Sequence, residues 1–360
     1  MKRLLRFIFA AGMMVSVAAL MFTSCTKEGP QGPTGPKGND GTNGTNGKDA
    51  NATCTQCHNW SDSLVAKIFQ YDASKHATGS TTFEGTRTAC APCHTSQGYL
   101  EVIESGSDTT LAPVFDGAPI NCRTCHKIHQ TYTTSDWALQ PKATTAWHPK
   151  YDPTVTIDLA VDGGSSNLCG RCHQARKTSP WLTNPTSTTD SLKPTSSRWG
   201  PHHGTQGLIL AGKGAFEVGA AAFGQTDHKG NASCGTCHQA PAQGDLVGGH
   251  TLWMANEAEG IENVAACKQC HSSATSFDVG GKQTEIEGMY ETLKVKLAVA
   301  NMLDTNSMLL KTGKKYAQKQ LAVFWNFQMI YADRSMGVHN YLYVHDMLQS
   351  GIDYFTTLGY

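Results

Sequence analysis

Cys122-Arg-Thr-Cys125-His126-Lys-Ile-His129 carries the pattern from which the rest of the chain can be read. A Cys-x-x-Cys pair with a histidine locked to its second cysteine recurs five more times. The copies are Cys54-Thr-Gln-Cys57-His58, Cys90-Ala-Pro-Cys93-His94, Cys169-Gly-Arg-Cys172-His173, Cys234-Gly-Thr-Cys237-His238 and Cys267-Lys-Gln-Cys270-His271. In such a pentapeptide the two thiols can add to the vinyl groups of one haem while the histidine reaches the iron. Zinc ribbons use cysteine pairs but need no histidine beside each of them. A disulfide framework leaves the histidines unexplained. The expectation is six haem c groups with His58, His94, His126, His173, His238 and His271 as proximal iron ligands.

The six motifs use twelve of the thirteen cysteines, and Cys25 is left over. Met1-Lys-Arg-Leu-Leu-Arg6 is a positive n-region, and Phe7 to Phe22 is an apolar run shorter than the roughly 20 residues that a span needs. Thr23-Ser24-Cys25 then resembles a bacterial lipoprotein signal, with Phe22 standing where leucine is usual. That resemblance implies cleavage after residue 24, lipidation of Cys25, and stable anchoring through more than one acyl chain. The alternative is a retained signal anchor, and export is required in either case. Thr26, not being aspartate, points by the common sorting rule to the outer membrane, at its periplasmic or cell-surface face.

Gly29, Gly32, Gly35, Gly38, Gly41, Gly44 and Gly47 recur at every third position, with Pro30, Pro33 and Pro36 beside the first three. This collagen-like tract reads as a solvated stalk over residues 25–49 or as a trimerising triple helix. Extended at about 3.1 Å per residue, it could hold the remainder about 65 Å from a membrane. Loss of Lys2, Arg3 and Arg6 with no acidic residue takes the formal charge from zero to −3. Haem propionates add to that, which argues against nucleic acid and suits small acceptors or a partner with a basic patch.

Residues 50–280 form the expected hexahaem region, weak in periodicity and rich in small polar residues, with flat macrocycles standing in for a side-chain core. Motif starts lie 36, 32, 47, 65 and 33 residues apart, so no repeating unit is implied. Over residues 281–360 the texture changes. Ile286, Met289, Tyr290, Leu293, Leu297 and Leu303 fall at helical intervals within 284–303. Tyr316 to Tyr331 and Tyr341 to Leu358 repeat the pattern, with Gly313 and Gly337 as breaks. Phe324, Trp325, Phe327 and Met329 read as core packed on a haem edge. The fold class expected is mainly α with much irregular structure, haem-cored, closed by a C-terminal helical segment.

Nine histidines stand outside the motifs: His76, His129, His148, His202, His203, His228, His250, His339 and His345. At this point the chain resembles the multihaem c-type cytochromes of the cytochrome c-552/c-554 and pentahaem nitrite-reductase superfamily, over roughly residues 50–345. The likeness rests on Ser74-Lys-His76-Ala, Cys122 to His129, Gly200-Pro-His202-His203-Gly-Thr-Gln206, His228-Lys-Gly-Asn-Ala-Ser-Cys234, Gly248-Gly-His250-Thr and Asp333-Arg-Ser-Met-Gly-Val-His339-Asn340. It implies that His76, His129, His202, His228, His250 and His339 are distal ligands, with His203 the substitute for His202 and with His148 and His345 surplus. Which distal histidine belongs to which motif is not given by the sequence.

The nitrite-reducing members use one motif ending in lysine and keep the far face of that haem open. Here every motif ends in histidine. Two strong-field protein ligands leave no place for substrate, and histidine pairs lack the potential-raising methionine. The expected function is low-potential electron transfer between envelope redox partners or to an extracellular acceptor, with no catalytic residue. Two rivals stay open: a multihaem reductase of a small nitrogen or sulfur oxyanion, and a subunit of an extracellular cytochrome filament.

Overall fold

Over residues 281–360, where the sequence offers apolar stripes at helical spacing, the computed structural model contains three long helices, and over residues 61–280 it contains two shorter helices among single turns and loops. It describes residues 54–360 apart from 56, 59, 60 and 220. The signal segment, Cys25 and the glycine-repeat tract lie outside the described residues. Among the described residues the helices of ten residues or more are α1 (Asp62–Asp72), α2 (Ser96–Ser105), α3 (Lys282–Val299), α4 (Gln318–Asp333) and α5 (Tyr341–Thr357). The strands described are three two-residue antiparallel pairs, such as Ser191–Leu192 against Tyr316–Ala317. The molecule is thus mainly α with much irregular structure. Among the described residues no helix is long and apolar enough to cross a membrane.

Helix α3 buries Ile286, Tyr290, Leu293 and Leu297, one residue per turn on one face. It stops at Val299, four residues short of the expected end. Asn301 takes a left-handed φ of 56°, and Leu303 is buried in a short strand pairing with Leu310 instead of in a fourth helical turn. Helix α4 is buried almost all round, and Phe324, Trp325, Phe327 and Met329 are each fully covered. They pack on Trp181, Trp199 and Tyr290, which makes the stripe protein core. Gly351 in α5 sits where the three helices meet. A Cβ there would stand 2.8 Å from Val323 and 3.1 Å from Leu293, so only glycine permits that approach.

This core does not begin at residue 281. It reaches back to Trp147, Ile157, Trp199, Leu208 and Phe223. Buried amides fasten the irregular middle of the chain to the helices. Asn326 exchanges two hydrogen bonds of 2.8 Å with the backbone of Phe216, and Asn340 accepts from Thr226 N and donates to Ile209 O. Thr205 Oγ1 donates to Met329 O, and Gln206 Nε2 donates to Ala332 O. The loop carrying His202 is thereby pinned to the end of α4.

Candidate functional site

Each Cys-x-x-Cys-His is one helical turn. The histidine N–H donates to the first cysteine carbonyl at 2.7 Å in His58 and His271, 2.8 Å in His126, 2.9 Å in His173 and 3.2 Å in His94. Residues three apart lie on one face of such a turn, so the two thiols project together. Side-chain caps fix where the turns begin. Asn121 and Thr124 form a reciprocal box around Cys122–Cys125, and Ser233 Oγ accepts from Thr236 N ahead of His238. Twelve free cysteines are described, none in a disulfide.

Every motif histidine faces one histidine from outside the motifs, and none is used twice. His58 faces His129 with ring centroids 6.1 Å apart, His94 faces His202 at 6.4 Å, and His126 faces His250 at 6.3 Å. His173 faces His76 at 6.3 Å, His238 faces His339 at 6.3 Å, and His271 faces His228 at 6.1 Å. Two imidazoles bound to opposite sides of one metal, with bonds of about 2.0 Å and centroids about 1.1 Å behind the nitrogens, would stand about 6.2 Å apart. All six separations fit. Among the described residues no group of three or more His, Cys, Asp or Glu is placed to hold a metal ion. A site of two nitrogens therefore suits a metal whose equatorial positions are filled by a macrocycle, and the paired thiols beside each proximal histidine suit its covalent attachment.

The rings are held so that one nitrogen is free for metal. Nδ1–H donates to Trp137 O from His126 at 2.6 Å, to Leu252 O from His238 at 2.8 Å, to Val338 O from His228 at 2.6 Å, and to Gln206 Oε1 from His173 at 3.0 Å. His339 donates to the buried Asp333 carboxylate at 2.7 Å. That leaves Nε2 with its lone pair in each case. Burial, with His173 nearby, pushes His76 down to about 4, and burial together with Arg176 pushes His202 down to about 4. Burial also lowers His94, His173, His238 and His250. His339 is the exception: burial opposes protonation, but the Asp333 carboxylate outweighs it.

Two of the facing histidines sit in the left-handed region, His129 at φ 63° and His202 at φ 76°, and so does Leu252 at φ 59°, whose carbonyl holds His238. Non-glycine residues in that region cost of order 1–3 kcal/mol and cluster at functional sites. His203 packs on His202 at 5.0 Å, and it is His202 that faces a motif histidine. His148 donates to Val155 O, and His345 lies beside Tyr341 and Asp346. Asp333 and the acceptor role of Gln206 escaped the sequence reading, although both lie inside the stretches that carried the family resemblance.

Neighbouring motifs touch through sulfur. The thiols of Cys93 and Cys172 act on one another's acidity, as do those of Cys169 and Cys234. Cys172 Sγ also approaches Pro92 O at 3.7 Å, and Cys93 Sγ approaches Arg171 O at 3.8 Å. Tyr99, whose hydroxyl donates to Leu168 O, feels Cys172, Cys125 and Cys169 together, which places the third motif beside the fourth. Cys267 acts electrostatically on Cys237, and Cys57 Sγ reaches Thr133 O near His129.

No family model matches the chain, and no curated protein matches it. Among solved structures, the outer cell wall cytochrome OcwA is similar at 19% identity with a TM-score of 0.49, the match covering 80% of this chain and 50% of that one. The chain spans half the length of that protein.

Proposed function

We propose that the protein is a low-potential electron-transfer cytochrome carrying six haem c groups, each held by two histidines. The observation that carries this reading is the one-to-one facing of six motif histidines and six others at 6.1–6.4 Å. Bound haem supplies reversible one-electron chemistry at iron. The chain's own residues do the rest. Cys54, Cys57, Cys90, Cys93, Cys122, Cys125, Cys169, Cys172, Cys234, Cys237, Cys267 and Cys270 provide the thioether bonds. The twelve imidazoles of the six facing pairs would hold the irons and would leave no position for substrate, and one-electron transfer there needs no general acid, base or nucleophile.

Contacts between motifs support a continuous path. Sites one and three share the Cys122–His129 stretch, because His126 faces one partner and His129 another. Site three adjoins four through Tyr99, four adjoins five through Cys169 and Cys234, and five adjoins six through Cys237 and Cys267. Site two branches from four at the Cys93–Cys172 contact. Buried carboxylate and amide partners for His339 and His173 raise ligand basicity, which favours the oxidised iron and a low potential. Export with lipidation at Cys25, anchoring to the outer membrane, and transfer to an envelope or extracellular acceptor complete the reading.

His250→Ala tests it. His250 faces His126 and has no neighbouring histidine to replace it. The variant is expected to keep six haems by pyridine haemochrome and to gain one high-spin haem that binds carbon monoxide when reduced. A variant that keeps six haems with no high-spin component would show that His250 is not a ligand.

A further inference from the structure

Site two is the end of a branch, and the charges acting most strongly on its histidines are cationic. Its facing histidine lies in Gly200–Gln206, a loop held from two sides. Arg176 N donates to Pro201 O at 3.1 Å on one side. On the other, Gln206 Nε2 donates to Ala332 O and Asp333 O, immediately before Arg334. Arg198 enters the same loop from its N-terminal end. His202 and His203, with rings 5.0 Å apart, are partly desolvated but keep surface open to solvent, and Arg176, Arg198 and Arg334 are exposed.

Among the described residues none of these three guanidiniums has an ion-pair or side-chain hydrogen-bond partner. Arg334, Arg198 and Arg176 all act on the His203 imidazole, and Arg176 also acts on His202 and His94. The charges acting most strongly on these three histidines are all cationic, Arg87 and Lys150 among them. Arg87 is paired with Glu84, and Lys150 donates to the Ala89 and Asp108 carbonyls, which leaves the three arginines as the open donors. On a chain whose formal charge is zero, three unpartnered guanidiniums around one loop form a local positive focus.

Resting on the electron-transfer reading, we infer that site two is the port at which a small, multiply anionic redox partner exchanges electrons with the protein, drawn in by Arg176, Arg198 and Arg334. Planar guanidiniums pair with carboxylate, phosphate and sulfonate oxygens through two parallel hydrogen bonds, which a lysine cannot match. The partner meets the exposed face beside His202 and His203. Steering of this kind raises association rates about 10-fold or more at low ionic strength and fades as salt shortens the screening length. A cationic reagent would be repelled from this branch and would have to use another exposed edge.

The test compares two oxidants on the reduced, haem-loaded full chain by stopped flow. Ferricyanide, the anionic probe, takes one electron from the protein and becomes ferrocyanide. Hexaammineruthenium(III), the cationic probe, likewise takes one electron. At low salt the Arg176→Gln/Arg198→Gln/Arg334→Gln variant is expected to react with ferricyanide about tenfold more slowly than the unmutated protein and with the ruthenium complex no more slowly. Added salt should slow ferricyanide with the unmutated protein and change its rate with the variant little, so that the difference between them closes. Equal ferricyanide rates in variant and parent, with six haems in both, would overturn the port. So would a variant that loses a haem or shifts the spectrum of one while its preference between the reagents stays, because the arginines would then serve the haem's own carboxylates. A variant that reacts more slowly with an acidic redox protein while its ferricyanide rate equals the parent's would assign the surface to a macromolecule and overturn the small-partner form. Absence of haem from the unmutated protein would defeat the electron-transfer reading itself, a result separate from any of these.

Discussion

Helices α3 to α5 and the segment from residue 61 to 140 solve the problem of staying folded in different ways. The helices close on a core in which Leu293, Leu297, Val323, Phe324, Trp325, Phe327, Val344, Met347 and Phe355 are fully covered. Between 61 and 140 the buried apolar side chains are Ala91, Pro92 and Tyr99, while Phe69, Phe83, Leu111 and Phe115 are more than 60% exposed. A stretch of that length with so little apolar burial cannot offset the entropy of ordering its backbone. On the proposed reading, haem supplies the core that this segment lacks. The same division runs through the histidines that face the motifs. His202, His228 and His339 are fixed by the ends of α4 and the turn that follows it, whereas His76, His129 and His250 stand on loops and single turns.

The largest effect should follow from removing an attachment point in the less packed half. In Cys122→Ser/Cys125→Ser, haem content is expected to fall below six. Amide hydrogen exchange should then become rapid over much of 61–140 while α4 and α5 stay protected. Uniform exchange across both regions would break the comparison, since the helices would then depend on haem as heavily as the loops. Leu293→Ala probes the other half. Truncation at a site with no exposure costs about 2–5 kcal/mol, read as a lower denaturation midpoint, with the haem count unchanged. A loss of haem in that variant would mean that the two regions do not fold separately.

A smaller effect belongs at the seam between them. Asp333 accepts from His339 Nδ1–H and from Ser335, so Asp333→Asn should weaken the hold on one distal ligand. Outer-shell changes of this kind cost about 10- to 100-fold in metal affinity, and cyanide should enter one haem correspondingly more readily than in the parent. Unaltered cyanide uptake would remove Asp333 from the account.

The smallest effect is one of acidity. Burial pushes the Asp162 carboxyl up, but hydrogen bonds from Ser165 and Ser166, at the start of the fourth motif turn, outweigh it and hold the group below its usual 3.8. A depressed carboxyl contributes stability that is present above its unfolded value and lost as pH falls through its folded value. Asp162→Asn should therefore cost about 1 kcal/mol at neutral pH and have less effect below pH 4. A cost that grew on acidification would contradict that sign.

The C-terminal helices were legible because their apolar residues repeat at 3.6 positions and glycines stand at the breaks, Gly313 at φ 95° and Gly337 at φ 90°. Where α3 ends was less legible, since Leu303 continues the periodicity but is buried by a strand contact with Leu310. The motif ligands could be read from local spacing. Partner choice could not, because His173 and His76 are 97 residues apart and His126 and His250 are 124 apart, distances that only the folded chain closes. His202 against His203 turned on a left-handed backbone at a non-glycine residue, which no sequence pattern announces.

The central claim is that every iron the chain holds is capped by two of its own histidines. Haem quantification and low-temperature electron paramagnetic resonance on one oxidised sample of the unmutated protein test it together. Six haems per chain, all low-spin, with little carbon monoxide uptake on reduction, is the result expected. A stoichiometric high-spin haem that binds nitrite and reduces it rapidly would contradict it and would make the molecule a reductase.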